Sequence, residues 1–157
     1  MAFSAMAFIT VPFPGWNLLA QKSSDIIVAR CVNTPDPFNV WSDGRRVDFQ
    51  GLIDSDFGIV SVLKGMTNTG AVRVTSEYWP RQGEYYLVVA NYHDGYYQAN
   101  EEYRVIPLGV KFPTNSIVGK PLDEQLQILF KRRLNDLNRQ MKAEQEEKQR
   151  LEEGLKK

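Results

Sequence analysis

The chain has 157 residues, 43% of them hydrophobic and 11% aromatic, which is enough apolar side chain for the core of one domain of ordinary size. Lysine plus arginine and aspartate plus glutamate are equal at 19 each, so no global field draws the chain to nucleic acid or to an anionic membrane surface, and no stretch reaches the roughly 18 to 20 apolar residues that span a bilayer. Cys31 is the only cysteine, which excludes an intramolecular disulfide and a cysteine-cluster zinc site.

Residues 1–15 form an apolar arm broken by Pro12 and Pro14-Gly15. Its small-x-small triplet Ala5-Met6-Ala7 resembles the end of an export signal, but a basic n-region is missing and the apolar run before Ala7 is short. Two readings stay open for the arm: a shortened start of an exported precursor, which would place the protein in the periplasm or outside the cell, or a core-packing arm of a cytoplasmic protein. From Trp16 to Ser23 the composition suits a short helix, with Trp16, Leu19, Ala20 and Ser23 on one face. Asp25 to Val32 is a β-branched run and the first expected strand. Asn33 to Arg46 is rich in Pro, Asn, Asp and Gly and reads as a loop, in which Phe38, Val40 and Trp41 are apolar enough to fold back on the domain.

Phe57 to Leu63 reads as a second strand that starts as early as Val47 at its longest, with Gly58 as a bulge or bend. After a turn at Asn68-Thr69-Gly70, Ala71 to Ser76 alternates, with Val72 and Val74 inward. Gly83 to Ala90 carries Tyr85, Leu87 and Val89 on one side and Tyr86, Val88 and Ala90 on the other, so this strand is apolar on both faces and is expected at the centre. Asp94-Gly95 is a two-residue hairpin signal, and Tyr96 to Leu108 is the expected fifth strand. Val28, Val72, Val74, Leu87 and Val89 are expected to share one core.

Residues 113–157 form a linker and a long helix. Pro121 suits the first helical position, and Asp123 and Glu124 place negative charge in the first turn, where the helix dipole favours it. Leu122, Leu126, Phe130, Leu134, Leu137 and Met141 make one apolar stripe, of which Leu126 to Met141 is the expected contact surface. Beyond Met141 the helix is charged, with Glu144 and Lys148 among several pairs at i, i+4, and it is expected to fray at Gly154. The region from Leu122 onward holds nine basic and eight acidic residues, so Lys131-Arg132-Arg133 and Arg139 give no polyanion-binding balance.

Leu18-Leu19-Ala20, Ser24 to Ala29, Val62-Leu63-Lys64-Gly65, the Val72/Val74 strand and Gly83 to Val89 follow one another in an order and spacing that resemble bacterial members of the netrin-like or TIMP-like OB-fold superfamily. The resemblance covers roughly residues 16 to 108 and implies a mainly β fold, a five-stranded Greek-key OB-like barrel spanning residues 16–112. In the animal metalloproteinase inhibitors of that superfamily an N-terminal cysteine chelates the protease zinc. Position 1 here is Met and Cys31 lies in an expected strand, so that inhibitory device is not carried over, and a protease inhibitor that uses a non-cysteine edge stays open only as a third reading.

Three constellations invite chemistry. His93-Asp94 near Glu101 and Glu102 is a poor metal set, since it offers one imidazole and flexible carboxylates at a hairpin tip. Ser23-Ser24-Asp25 has its only potential histidine partner far off in sequence and reads as helix termination and strand entry. Lys64-Gly65 lacks the other glycines of a phosphate loop. Aromatic residues Trp79, Tyr92, Tyr96, Tyr97 and Tyr103, with Tyr85 and Tyr86, could instead stack a sugar or single strand, although tyrosine is also an ordinary strand former. The sequence therefore points to a non-enzymatic binding module, without cofactor or metal, whose partner is another protein or a second copy engaged by the long helix; nucleic acid is not an expected partner.

Overall fold

The computed structural model describes residues 12–35, 51–65 and 70–156. The arm up to Val11 and the loop residues Phe38, Val40 and Trp41 lie outside the described residues. In chain order the elements are α1 (Trp16–Lys22), β1 (Asp25–Asn33), β2 (Ile53–Lys64), β3 (Ala71–Ser76), β4 (Tyr85–His93), β5 (Tyr96–Gln98), a 3-10 turn (Glu102–Arg104), β6 (Val105–Gly109) and α2 (Leu122–Leu155), with a second 3-10 turn at Thr114–Ser116.

Strand order β1-β2-β3-β5-β4 closes through β1–β4 pairing into a five-stranded mixed barrel, and β6 adds to the other edge of β4. The β3–β5 contact is parallel and the other pairings are antiparallel. The expected mainly β architecture, a five-stranded barrel with a short N-terminal and a long C-terminal helix, is the one observed. Register shifts interrupt the β1–β2 ladder between Ile26 and Ile27, between Val28 and Ala29, and between Cys31 and Asn33. Each adds local twist and lets the 12-residue β2 coil far enough to pair with β1 at one end and β3 at the other. Gly58, the expected bulge, sits in regular register between Arg30 and Ala71, so the bends flank it.

The central position of β4 is as expected, but its two faces enter two different cores. Tyr86, Val88 and Ala90 join Ile27, Ala29, Cys31, Phe57, Val72 and Val74 inside the barrel. Leu87 and Val89 join Leu19, Ile26, Val28, Ile106, Leu108 and Leu129 in a layer between barrel and helices. The single core expected for Val28, Val72, Val74, Leu87 and Val89 is thus divided by the sheet itself, because successive side chains of a strand point to opposite faces.

The expected strand from Tyr96 to Leu108 is also divided. Asp94 (φ 46) and Gly95 (φ 91) form a hairpin turn with both central residues left-handed, and β5 then runs for three residues between β4 and β3. The chain crosses over through the 3-10 turn and returns as β6 along the first half of β4, pairing Ile106 with Leu87. β5 and β6 thus take successive stretches of β4 in the same antiparallel sense, and β5 alone of the two also pairs with β3.

Pro121 is the N-cap of α2, with extended ψ 154, rather than its first helical residue. The helix continues through Gly154 to Leu155, so the expected fraying there is not seen. Its docked face is carried by Gln125 and Leu129, both buried, with Leu122, Leu126, Ile128 and Phe130 packed alongside. The expected stripe is therefore rotated by about one residue. Polar side chains caused the misreading: Gln125 Nε2 donates to the Ile117 carbonyl at 2.9 Å, and Arg132 Nε donates to the Leu108 carbonyl at 2.9 Å. Arg132 also donates to the Lys111 carbonyl and lies over the Phe112 ring at 5.5 Å. Spaced at i, i+4 and i+7, Gln125, Leu129 and Arg132 fasten the first three turns of α2 to β6 and the segment after it.

Candidate functional site

The Ser23-Ser24-Asp25 junction is structural. Lys64 Nζ donates to the carbonyls of Ala20 and Ser23, each at 2.7 Å, and to that of Gln21 at 3.3 Å, satisfying the open C-terminus of α1. Ser24 Oγ donates to Asp25 at 2.5 Å and accepts from the Tyr92 N–H at 2.8 Å, while the Asn91 side chain accepts from the Ser24 N–H at 3.0 Å. Tyr97 Oη completes the set by donating to Asp25 Oδ1 at 3.3 Å. The buried carboxylate is thereby provided with hydroxyl donors, as a buried charge requires. Burial, and then the nearby Asp25 carboxylate, push the Tyr97 phenol up to about 12. Serine here closes a strand junction.

His93 Nε2 lies 3.3 Å from Asp94 Oδ2 at the exposed hairpin tip. Among the described residues no three His, Cys, Asp or Glu side chains come together as metal ligands.

The five aromatic candidates do not share one platform. Tyr97 is buried in the barrel interior. Tyr92 is exposed and packs edge-on to it, ring centroids 5.6 Å apart. Tyr96 stands edge-on to His93 at 5.8 Å and its hydroxyl accepts from Gln98 Nε2 at 3.0 Å. Tyr103 belongs to the layer beneath the helices, 5.2 Å from the Phe13 ring. Trp79 is tied by its indole N–H to the Pro35 carbonyl at 2.9 Å. Of the five, Tyr96 lines a groove of about 670 Å³ across β2, β3 and the β4–β5 hairpin. The groove also presents Asp54, Asp56, Asp94 and Arg73. Cross-strand bonds engage two of these acids: Thr75 Oγ1 donates to Asp54 at 2.6 Å and Arg73 Nε to Asp56 at 3.3 Å. A carboxylate-lined groove repels a phosphate backbone.

The helix candidates divide cleanly. Leu126 and Phe130 are half-buried against α1, where Phe130 tilts over Trp16 with centroids 4.6 Å apart. Leu134 and Met141 are each 57% exposed, Leu137 37%, Leu151 64% and Leu155 88%. These five apolar side chains form a ridge along the exposed side of α2, from its last docked turn to its C-terminal end. The neighbouring basic side chains gather where sequence counting did not place them: Arg81, Lys111, Arg132, Arg133 and Arg139 line a groove of about 600 Å³ with Glu84 and Asp136. Arg81 and Lys111 come from barrel loops far away in sequence, so no local charge count could reveal this cluster. Arg132 within it is held by backbone carbonyls, and Arg139 lies 3.9 Å from Asp136.

No protein-family model matches the chain, and no curated protein matches it at significant similarity.

Proposed function

We propose that the protein is a non-enzymatic protein-interaction module, built on an OB-like barrel of the netrin-like or TIMP-like kind, with the projecting half of α2 as its contact element. The observation that carries this reading is the exposed ridge Leu134, Leu137, Met141, Leu151 and Leu155 on a helix whose opposite side is already fastened to the barrel by Leu129, Gln125 and Arg132. A ridge of large apolar side chains on a rigid helix is the form of a helix-recognition surface. The closed order β1-β2-β3-β5-β4 supports the barrel kinship. Affinity capture compares the full chain with a form lacking residues 143–157 and one carrying Leu134→Ser and Leu137→Ser. A protein retained by the full chain and released by both variants supports the reading; equal capture by all three removes it.

A second reading rests on the groove beside Tyr96, whose polar lining and single stacking ring suit a neutral saccharide better than a nucleic acid strand. Titration with oligosaccharides and single-stranded oligonucleotides separates the two readings. A saturable change in tyrosine or tryptophan fluorescence that Tyr96→Ala abolishes favours the groove; unchanged spectra leave the helix as the contact.

A further inference from the structure

We infer that the projecting half of α2 pairs with the same half of a second copy of this chain, antiparallel and in one register. This rests on the reading of α2 as a contact element and names the occupant. From Leu134 onward the large apolar residues fall at 134, 137, 141, 151 and 155. Alternating steps of three and four, the seam of a coiled coil, pass through all of them and through two further positions, Glu144 and Lys148. The seam is thus apolar at both ends with one acid and one base at its middle.

That arrangement chooses the orientation. In a parallel pair each seam residue meets its own copy, so Glu144 faces Glu144 and Lys148 faces Lys148, two like-charge contacts in the least solvated part of the interface. An antiparallel pair centred on position 146 sets Glu144 against Lys148 twice, Met141 against Leu151 twice, and Leu137 against Leu155 twice. Every apolar side chain from Leu137 on then meets an apolar one, and each charge meets its opposite. Moving the register by one heptad places Lys148 on Leu137 and Glu144 on Met141, so the matched register is the favoured one.

The barrel permits this pairing. The docked face ends near Asp136, the last half-buried residue of α2, and in the centred register Asp136 lies opposite Lys156 of the second copy. The overlap from Leu137 to Leu155 is about 27 Å long, and the two barrels sit at opposite ends of it. The ridge is turned about 40 to 140° around the helix from Leu129, at ~100° per residue, while Gln125 and Arg132 lie on the other side of Leu129, so the ridge is turned away from the docked face. Among the described residues Lys148 forms its one ion pair with Glu152, at 3.9 Å. Glu147, on the flank of the seam, meets its own copy at the centre, a contact that keeps the association weak.

Charge exchange across the seam tests the register. Sedimentation of the full chain should show a reversible dimer below about 100 micromolar, and Leu151→Asp should render it monomeric with an unchanged melting temperature. Glu144→Lys alone and Lys148→Glu alone should each raise the dissociation constant roughly 10-fold or more. The double variant, which restores Glu opposite Lys, should return it to the parent value. A parallel dimer is indifferent to the exchange, so single variants that leave the dimer intact overturn the antiparallel register. A parent chain that is monomeric throughout overturns self-pairing. The contact-element reading survives that last result if the capture experiment still shows a protein lost with residues 143–157, and falls with it if none is lost.

Discussion

Leu87→Ala measures whether the layer between barrel and helices is a true core. Leu87 is fully buried; its strand neighbours are Val28 on β1 and Ile106 on β6, and Leu19 and Leu129 belong to the same layer. Truncation removes three carbons' worth of buried apolar volume, about 2.4 kcal/mol of transfer free energy at ~0.8 kcal/mol per methylene. The strands on either side are held by ladder hydrogen bonds and cannot collapse into the space, so a cavity contribution adds to this and the total should lie at about 3 to 5 kcal/mol. Urea unfolding followed by tryptophan fluorescence is the assay, since Trp16 lies in the same layer against Phe130. Leu134→Ala, on α2 and 57% exposed, is the control and should cost less than about 0.5 kcal/mol. A Leu87→Ala cost below about 0.5 kcal/mol would show that the layer is loosely packed and that β4 is not central.

The two glycine positions Gly65 and Gly154 should respond to alanine with opposite signs. Gly65 has φ +107 and a Cβ there would stand 2.1 Å from Asp25 Oδ1 and 2.9 Å from the Ser24 carbonyl, so Gly65→Ala should destabilise by about 2 kcal/mol or more in the same assay. Nothing lies within 4 Å of a Cβ on Gly154, and Gly154→Ala should increase helix content, contributing up to about 1 kcal/mol locally; a loss of helicity on circular dichroism would show that the glycine is needed. Tyr97 gives a pH signature: above pH 10 an unfolded tyrosine releases its proton while the buried phenol, pushed up to about 12, retains it. The unfolded state then binds fewer protons, so stability is unaffected below pH 10 and falls by about 2 to 3 kcal/mol as pH climbs toward 12. Tyr97→Phe should remove that share of the alkaline loss, whereas Tyr86, also raised by burial, keeps its own; superimposable pH profiles for parent and variant would refute the assignment.

What was legible in the sequence was whatever rests on local periodicity. β3 occupies the residues that alternate, α1 buries the face that carries Leu19, and Asp94-Gly95 makes the turn its chemistry demands. The central role of β4 could be read from its two apolar faces. What those faces touch could not, because the sheet separates Leu87 from Val88 and only closure of the barrel decides which side becomes interior. The division of Tyr96 to Leu108 into two strands was hidden for a similar reason: its residues are acceptable strand formers throughout, and the crossover is imposed by the partners available at each end. In α2 the apolar stripe was real but belonged to two surfaces. Docking selected Gln125 and Arg132 beside Leu129 because the backbone carbonyls of Ile117 and Leu108 accept from their side chains, and an acceptor elsewhere in the chain leaves no trace in the helix's hydrophobic pattern. The cluster of Arg81 and Lys111 with the arginines of α2 was likewise invisible, being assembled across the fold.

The two halves of α2 depend on each other energetically. From Leu137 to Leu155 all 19 residues of the helix are exposed, and a free peptide of that length and composition is marginally helical in water. Its internal support is slight: Lys148 to Glu152 at 3.9 Å and Gln149 to Glu153 at 3.3 Å, both exposed. The costly step in helix formation is the first turn, however, and here the turns from Leu122 to Arg132 are already fixed by Leu129 and by side-chain bonds to Ile117 and Leu108. The projecting half then needs only propagation, for which its Glu, Gln, Lys, Arg and Leu residues are all good formers. Docking by one face therefore does more than anchor the helix: it presents the ridge at Leu134, Leu137, Met141, Leu151 and Leu155 as an ordered edge, so a partner does not have to supply the entropy of folding it.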